Sequence, residues 1–162
     1  MKFQDLFALF DAQLVEGRHY FLRTRSLAAL RPEVVSEFIA AGNGRTSPHS
    51  VILWHHLRGK ATRTPVGATA FGIRAEHFMV EVISCWDPTS QEKGKPHRQW
   101  AEHLSKALAP MALPGGYPNM LGPDDSEQIP FAYGSNKERL MAAKERFDQD
   151  DVFSSAIPLR VR

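Results

Sequence analysis

His77-Phe78-Met79-Val80-Glu81-Val82-Ile83-Ser84-Cys85-Trp86 is a ten-residue run of β-branched, aromatic and other apolar residues without glycine or proline, the composition of a strand. Alternation along it puts Phe78, Val80, Val82, Ser84 and Trp86 on one face and Met79, Glu81, Ile83 and Cys85 on the other. The first set is expected under helices. Glu81, in the middle of an otherwise apolar strand, then points toward whatever covers the opposite face. Upstream, Ser50 to Leu57 reads as a second strand. Val51, Leu53 and Leu57 are assigned to its helix side, which leaves Ile52, Trp54 and His56 on the face of Glu81. Thr69 to Arg74 reads as a third, joined to His77 by a tight hairpin through Ala75-Glu76.

Further out, His19 to Leu27 is a strand in which aromatic and apolar residues give way to polar alternation. Pro32 suits the first turn of a helix, Val34, Val35, Phe38 and Ile39 supply its buried stripe, and Gly42 is expected to end it in a left-handed conformation. Pro96 opens a helix in which Trp100, Leu104, Leu108 and Met111 recur about every fourth position. Phe3, Leu6, Phe7, Phe10 and Leu14 mark one face of an N-terminal helix. Hairpin-linked strands with helices on one side predict an α+β layer: an antiparallel sheet in a ferredoxin-like arrangement. That sheet domain spans residues 1–111.

Residues 112–162 form a C-terminal segment packed on the same domain. Ala112 to Pro130, with four prolines and no sustained period, is an irregular connection. Connections of that length are usually functional when they belong to a compact domain. Ser135 and Glu138 have capping-box spacing, and Leu140, Ala143 and Phe147 are the expected buried stripe of the helix that follows.

Composition removes several function classes. Of 162 residues, 43% are hydrophobic and 23% charged, which fits one folded domain with a single core. Twenty Lys and Arg against eighteen Asp and Glu leave a net charge of +2, and the basic residues are scattered. Phosphate binding needs a clustered basic face, so a nucleic-acid partner is not expected. The apolar N-terminal residues are interrupted by Asp5 and Asp11, unlike a secretion signal, and no stretch reaches the roughly eighteen apolar residues of a membrane span. The sequence reads as a soluble cytoplasmic protein. The single Cys85 excludes an intrachain disulfide and sits in an apolar run, as an inert core thiol does. His55 and His56 are adjacent on a strand and point to opposite faces, so no metal site is expected.

Three motifs carry a resemblance. Tyr133-Gly134-Ser135-Asn136-Lys137-Glu138-Arg139-Leu140, continuing through Lys144, Phe147-Asp148 and Phe153, resembles the C-terminal segment of flavin-dependent oxidoreductases of the berberine bridge enzyme type. Ala68-Thr69-Ala70-Phe71-Gly72-Ile73-Arg74 is similar to that family's Ala-Thr-Ala-Phe-x-x-Arg strand. Gly115-Gly116-Tyr117-Pro118-Asn119-Met120 resembles its Gly-Gly-x-Tyr-x-Asn-Tyr segment, a wall of the flavin site. Together they extend the resemblance over roughly residues 18 to 160. Two departures stand out: Met120 replaces the motif's second Tyr, and Ser154-Ser155 follow Phe153 where many relatives place Gln or Asn.

The resemblance implies FAD as cofactor, with Tyr117, Asn119, Tyr133 and Asn136 facing it. It also implies that the sheet face away from the helices roofs flavin and substrate. There Glu81 would be a general base that withdraws a proton from a substrate hydroxyl or amine, with Trp54 and His56 as substrate-binding neighbours. No Gly-x-Gly-x-x-Gly or other phosphate-cradling loop is found in the sequence. Asn136 also reads as part of a helix cap, Tyr133 as a packed aromatic, and Arg74 as one half of an ion pair with a carboxylate.

Three roles follow. The chain is the substrate-side portion of a flavoenzyme, completed by a separate flavin-binding polypeptide docking on the open sheet face. Alternatively it is a stand-alone small-molecule-binding module without redox activity. In the third, it is a homodimer held by an apolar face made of Ile52, Trp54, Met79 and Ile83.

Overall fold

The computed structural model describes residues 2–11, 15–89, 94–155, 157 and 159. Eight elements organise them: α1 (Phe3–Asp11), β1 (His19–Leu27), α2 (Pro32–Asn43), β2 (Val51–Leu57), α3 (Lys60–Arg63), β3 (His77–Trp86), α4 (Lys95–Leu108) and α5 (Lys137–Phe147). Short 3-10 turns punctuate the C-terminal part at Ala109–Met111, Pro118–Met120, Ile129–Phe131 and Gly134–Asn136.

The strands form one sheet in the order β1-β3-β2, with β3 antiparallel to both neighbours. β1 and β2 therefore run parallel with β3 between them, and α2 is the crossover, which is the split β-α-β unit. An isolated antiparallel bridge joins Leu27 to Ala112, and the Leu113 amide donates to the Ser26 carbonyl at 2.7 Å. That bridge occupies the outer edge of β1, where a ferredoxin-like sheet carries its fourth strand. The α+β expectation is borne out, with the fourth strand reduced to a single bridge.

Central position explains the composition of β3. A strand buried in both phases needs apolar residues in both: Met79 and Cys85 are 8% and 2% exposed on one face, and on the other Val80 and Val82 are fully buried. They join Leu27, Val34, Trp100, Ala101, Leu104 and Leu108 in one core beneath α2 and α4. Each such aliphatic side chain contributes about 1.5–3 kcal/mol by leaving water. The indole N–H of Trp100 donates to the Ala41 carbonyl at 2.9 Å and clasps α4 to the end of α2.

Several local expectations are corrected. Thr69–Arg74 is irregular chain following a 3-10 turn at Val66–Ala68, so no hairpin precedes β3. Its bonds go to the C-terminal segment rather than to a strand. Helix α2 passes through Gly42 and closes with the Gly44 amide on the Ala40 carbonyl at φ −90°, without a left-handed residue. Asn136 precedes α5, no side chain caps that helix, and of the expected stripe Leu140 is half-buried while Ala143 is exposed and Phe147 is 75% exposed. Of the apolar face expected on the N-terminal helix, Phe7 is 57% exposed, and the side chains of Phe3, Leu6, Phe10 and Leu14 lie outside the described residues.

The largest correction concerns β2. In register, Ile52 faces Val82, Trp54 faces Val80 and His56 faces Phe78, whereas Leu53 faces Glu81 and His55 faces Met79. Ile52, Trp54 and His56 are therefore on the helix side, the reverse of the assignment from sequence. The four apolar residues expected to share a face divide into Ile52 and Trp54 on one side and Met79 and Ile83 on the other. The single-face argument for an oligomer is thereby removed.

Candidate functional site

Glu81 sits at the middle of β3 on the face away from α2 and α4, and only 7% of it is exposed. Its partner is His55, whose Nε2 lies 3.2 Å from Glu81 Oε1. Across the other interface Glu81 is in register with Thr24, which is buried and whose hydroxyl has no hydrogen-bond partner. Carboxylate, imidazole and hydroxyl thus lie on one face of the sheet, contributed by its three strands. The imidazole is the half that meets water, its side chain being 57% exposed.

Trp54 and His56 are elsewhere. Trp54 stacks on Phe38 of α2 with ring centroids 5.5 Å apart and planes 4° from parallel. His56 stacks on Phe78 at 4.3 Å, and its Nε2 is 2.8 Å from Glu76 Oε1. The residues missed by sequence reading are His55 and Thr24. Strand alternation around Glu81 would have found Thr24 once β1 was aligned, but His55 required the register of β2.

The three motif segments converge. Asn136, 5% exposed, donates both amide hydrogens, to the carbonyls of Val66 at 2.9 Å and Thr69 at 3.1 Å. Arg139 donates to the Gly67 carbonyl at 2.6 Å. Gly72 runs so close to Tyr133 that an added Cβ would lie 2.5 Å from its carbonyl oxygen. Phe71 meets the Tyr117 ring edge-on at 5.6 Å. A cavity of about 190 Å³ remains where Thr69 and Ala70 face Asn136, Arg139 and Leu140. Arg74, expected in an ion pair, instead donates to the Ala61 carbonyl and the Thr69 hydroxyl.

This geometry tests the flavin assignment. Asn136 is spent on two carbonyls, and the Tyr133 hydroxyl donates to the Ile157 carbonyl at 3.4 Å. Asn119 donates to the Tyr117 hydroxyl at 3.0 Å, which leaves that pair as the polar groups facing outward. Gly94 opens the longest helix, α4, and lies against Trp86, where an added Cβ would be 2.3 Å from the ring. The side of that helix start on which a Gly94 side chain would project is filled by the indole. The described residues do not fit a whole flavin. No group of three or more His, Cys, Asp or Glu among them is placed to hold a metal ion, and no helix there is long and apolar enough to cross a membrane.

The C-terminal segment closes further on itself. Lys144 pairs with Asp148 and, at 2.8 Å, with Asp151, and it donates to the Phe153 carbonyl at 2.6 Å. Asp148 accepts from the amides of Val152 at 2.8 Å and Phe153 at 3.2 Å. The hydrogen bond from Lys144, aided by those amides, holds the Asp148 carboxyl below its ordinary range. The hydrogen bonds to Asp148 and then Asp151 push the Lys144 ammonium above its own.

Fold and site define a split β-α-β sheet domain with a buried carboxylate paired to an exposed imidazole and a stitched C-terminal segment. That segment is of a known kind: residues 117–158 match the family model described as "Berberine and berberine like". The fold agrees over nearly the whole chain. The berberine bridge enzyme of Eschscholzia californica superposes with a TM-score of 0.70 at 20% identity over 88% of this chain and 34% of that one. A berberine bridge enzyme-like protein of Physcomitrella patens gives 0.70 at 20% identity, covering 87% and 31%. The grass pollen allergen Phl p 4, described as having glucose dehydrogenase activity, gives 0.71 at 16% identity, covering 86% and 32%. The chain spans about a third of the length of these structures. No curated protein sequence matches it closely enough to count as a relative.

Proposed function

We propose that this chain is the substrate-facing portion of an FAD-dependent oxidoreductase of the berberine bridge type, inactive alone and completed by a flavin-binding polypeptide. The Glu81–His55 pair carries the reading. It lies on the sheet face free of helices, in a domain whose architecture and C-terminal segment resemble those of berberine-type proteins.

Redox chemistry belongs to the cofactor, and the residues of this chain handle the proton. Oxidation of an alcohol or amine leaves a proton on oxygen or nitrogen. A carboxylate with little access to water is a competent acceptor for it. Glu81 Oε1 receives the proton, and the half-exposed ring of His55 passes it to solvent. Tyr117 and Asn119 would offer a polar edge to a flavin held by the companion. Tyr133 and Asn136 act from behind, by holding that wall together.

The purified chain is expected to be colourless, to release no flavin on denaturation and to leave the fluorescence of added FAD unchanged. Co-expression with the flavoprotein partner is expected to give substrate-dependent bleaching that Glu81→Gln does not support. A chain that binds FAD tightly by itself would falsify the need for a partner. Bleaching indifferent to Glu81→Gln overturns the role of the carboxylate.

A further inference from the structure

We infer that the cavity between β1, α4 and the loop 124–128 is a binding site for a neutral polyol, gripped through a vicinal diol. Its volume is about 330 Å³, within the range of small-molecule sites. Arg23 and Arg25 of β1 form its floor. Their register with Val82 and Val80 puts both on the helix side of the sheet, so the cavity lies on the opposite face from Glu81.

The two arginines differ in what they hold. Arg25 fastens the wall: Nε donates to the carbonyl and hydroxyl oxygens of Ser105 at 3.0 and 3.1 Å, and Nη2 pairs with Glu127 at 3.0 Å. Arg23 fastens nothing. Its side chain is 14% exposed and its guanidinium lies 4.2 Å from the centre of the Phe21 ring. Among the described residues its one hydrogen bond is a long one, from Nη1 to the Leu22 carbonyl at 3.3 Å. Nε stands 3.8 Å from Asp125 Oδ1, while Nη2 stands 3.8 Å from Glu102 Oε1 and 4.0 Å from Asp124 Oδ2. The Asp125 side chain is 6% exposed, and its Oδ2 accepts from the Gly122 amide at 2.8 Å, so Oδ1 is the oxygen turned to Arg23. Each of these gaps is too long for a direct hydrogen bond and short enough for one oxygen to bond both groups.

Charge selects the ligand. An anion brought to the Nε–Nη2 edge meets three carboxylates, and a cation meets two guanidinium groups. A hydroxyl suits both neighbours, because its oxygen accepts from an Arg23 N–H while its proton goes to a carboxylate. The Nε–H and Nη2–H groups form a planar, parallel fork. Hydroxyls on adjacent carbons can accept from both at once, one donating to Asp125 and the other to Glu102. Water makes such bridges singly; a diol makes both with one molecule immobilised in place of two.

myo-Inositol serves as the probe, titrated into the full chain while the Arg23 Nε–H and the Gly122 and Asp125 amide resonances are followed. A saturable shift with millimolar half-saturation is expected. Propane-1,3-diol, whose hydroxyls are not adjacent, and acetate should give none. Glu102→Ala removes one acceptor from a side chain 43% exposed and should weaken binding about tenfold. Arg23→Lys replaces the fork with a point charge and should abolish the amide shifts at unchanged far-ultraviolet circular dichroism. Spectra unchanged up to roughly 100 mM, where a millimolar site is filled, overturn the inference. So does an equal response to propane-1,3-diol, tighter binding of acetate, or inositol binding undiminished in Glu102→Ala.

Discussion

His55 reaches Glu81 diagonally: Glu81 is in register with Leu53 and His55 with Met79, yet Nε2 and Oε1 come within 3.2 Å. Diagonal cross-strand neighbours are within reach of long side chains. The contact takes the imidazole from the edge strand to the central one, so a group buried at mid-sheet communicates with the sheet edge.

Glu81→Gln preserves size and removes the proton acceptor. Its expected effect in the assembled enzyme is a loss of roughly 10²–10⁴-fold in kcat, the range for a positioned general base. The thermal midpoint should barely move. Steady-state kinetics beside a melting curve distinguish this from a folding defect, which would lower both.

Asn136→Ala removes two hydrogen bonds and strands the carbonyls of Val66 and Thr69. The expected cost is about 1–3 kcal/mol, the penalty for unsatisfied buried groups. Asn136→Asp should cost more, because a carboxylate would face two carbonyl oxygens. Urea denaturation of the three proteins reads the order directly; equal midpoints would show that the loop does not depend on Asn136.

Gly72→Ala places a methyl group 2.5 Å from the Tyr133 carbonyl oxygen, which is backbone and cannot rotate away. Overpacking of this kind costs about 1–3 kcal/mol. The change should also separate the 66–74 segment from α5, seen as faster proteolysis there while the sheet remains protected.

The Lys144–Asp148 pair gives the C-terminal segment two pH limits. Asp148 sits below its ordinary 3.8, so its contribution is complete above that value and is lost as pH falls through the lower folded value. Lys144 sits above its ordinary 10.5, so its contribution is complete below that value and is lost as pH rises through the higher folded value. Between them the amide resonances of Val152 and Phe153 should hold steady, departing only at the two extremes. Asp148→Asn is expected to abolish the acid limb.

The sequence was clearest where one phase of a pattern dominated. α4 has a single apolar stripe and β3 is apolar in both phases; of the stripe expected on α2, Val34 and Phe38 pack in the core, while Val35 and Ile39 are exposed. β2 misled because both of its phases are apolar: Val51, Leu53 and Leu57 compete with Ile52 and Trp54, and a shift of one residue exchanges the faces. Packing of Phe38 on Trp54 decides between them, a contact that no local pattern reveals. Thr69–Arg74 has residues suited to a strand, but its bonds go to residues about seventy positions later. Glu81 was legible as an oddity within an apolar run; its partner was not.

The stitch between Asn136, Arg139 and the Val66–Thr69 stretch spans 67 to 72 residues of sequence. During synthesis the earlier half of that stitch leaves the ribosome well before the later half exists. The β1–β3 pairing reaches as far, His19 to Trp86, but all three strands precede Asn136, so the sheet and α2 can assemble while the middle of the chain still awaits its fastening. A polypeptide interrupted before Asn136 would carry a finished sheet and an unsealed middle, open to proteases and chaperones. The position of the 66–69 stretch is thus fixed by residues made after the whole sheet.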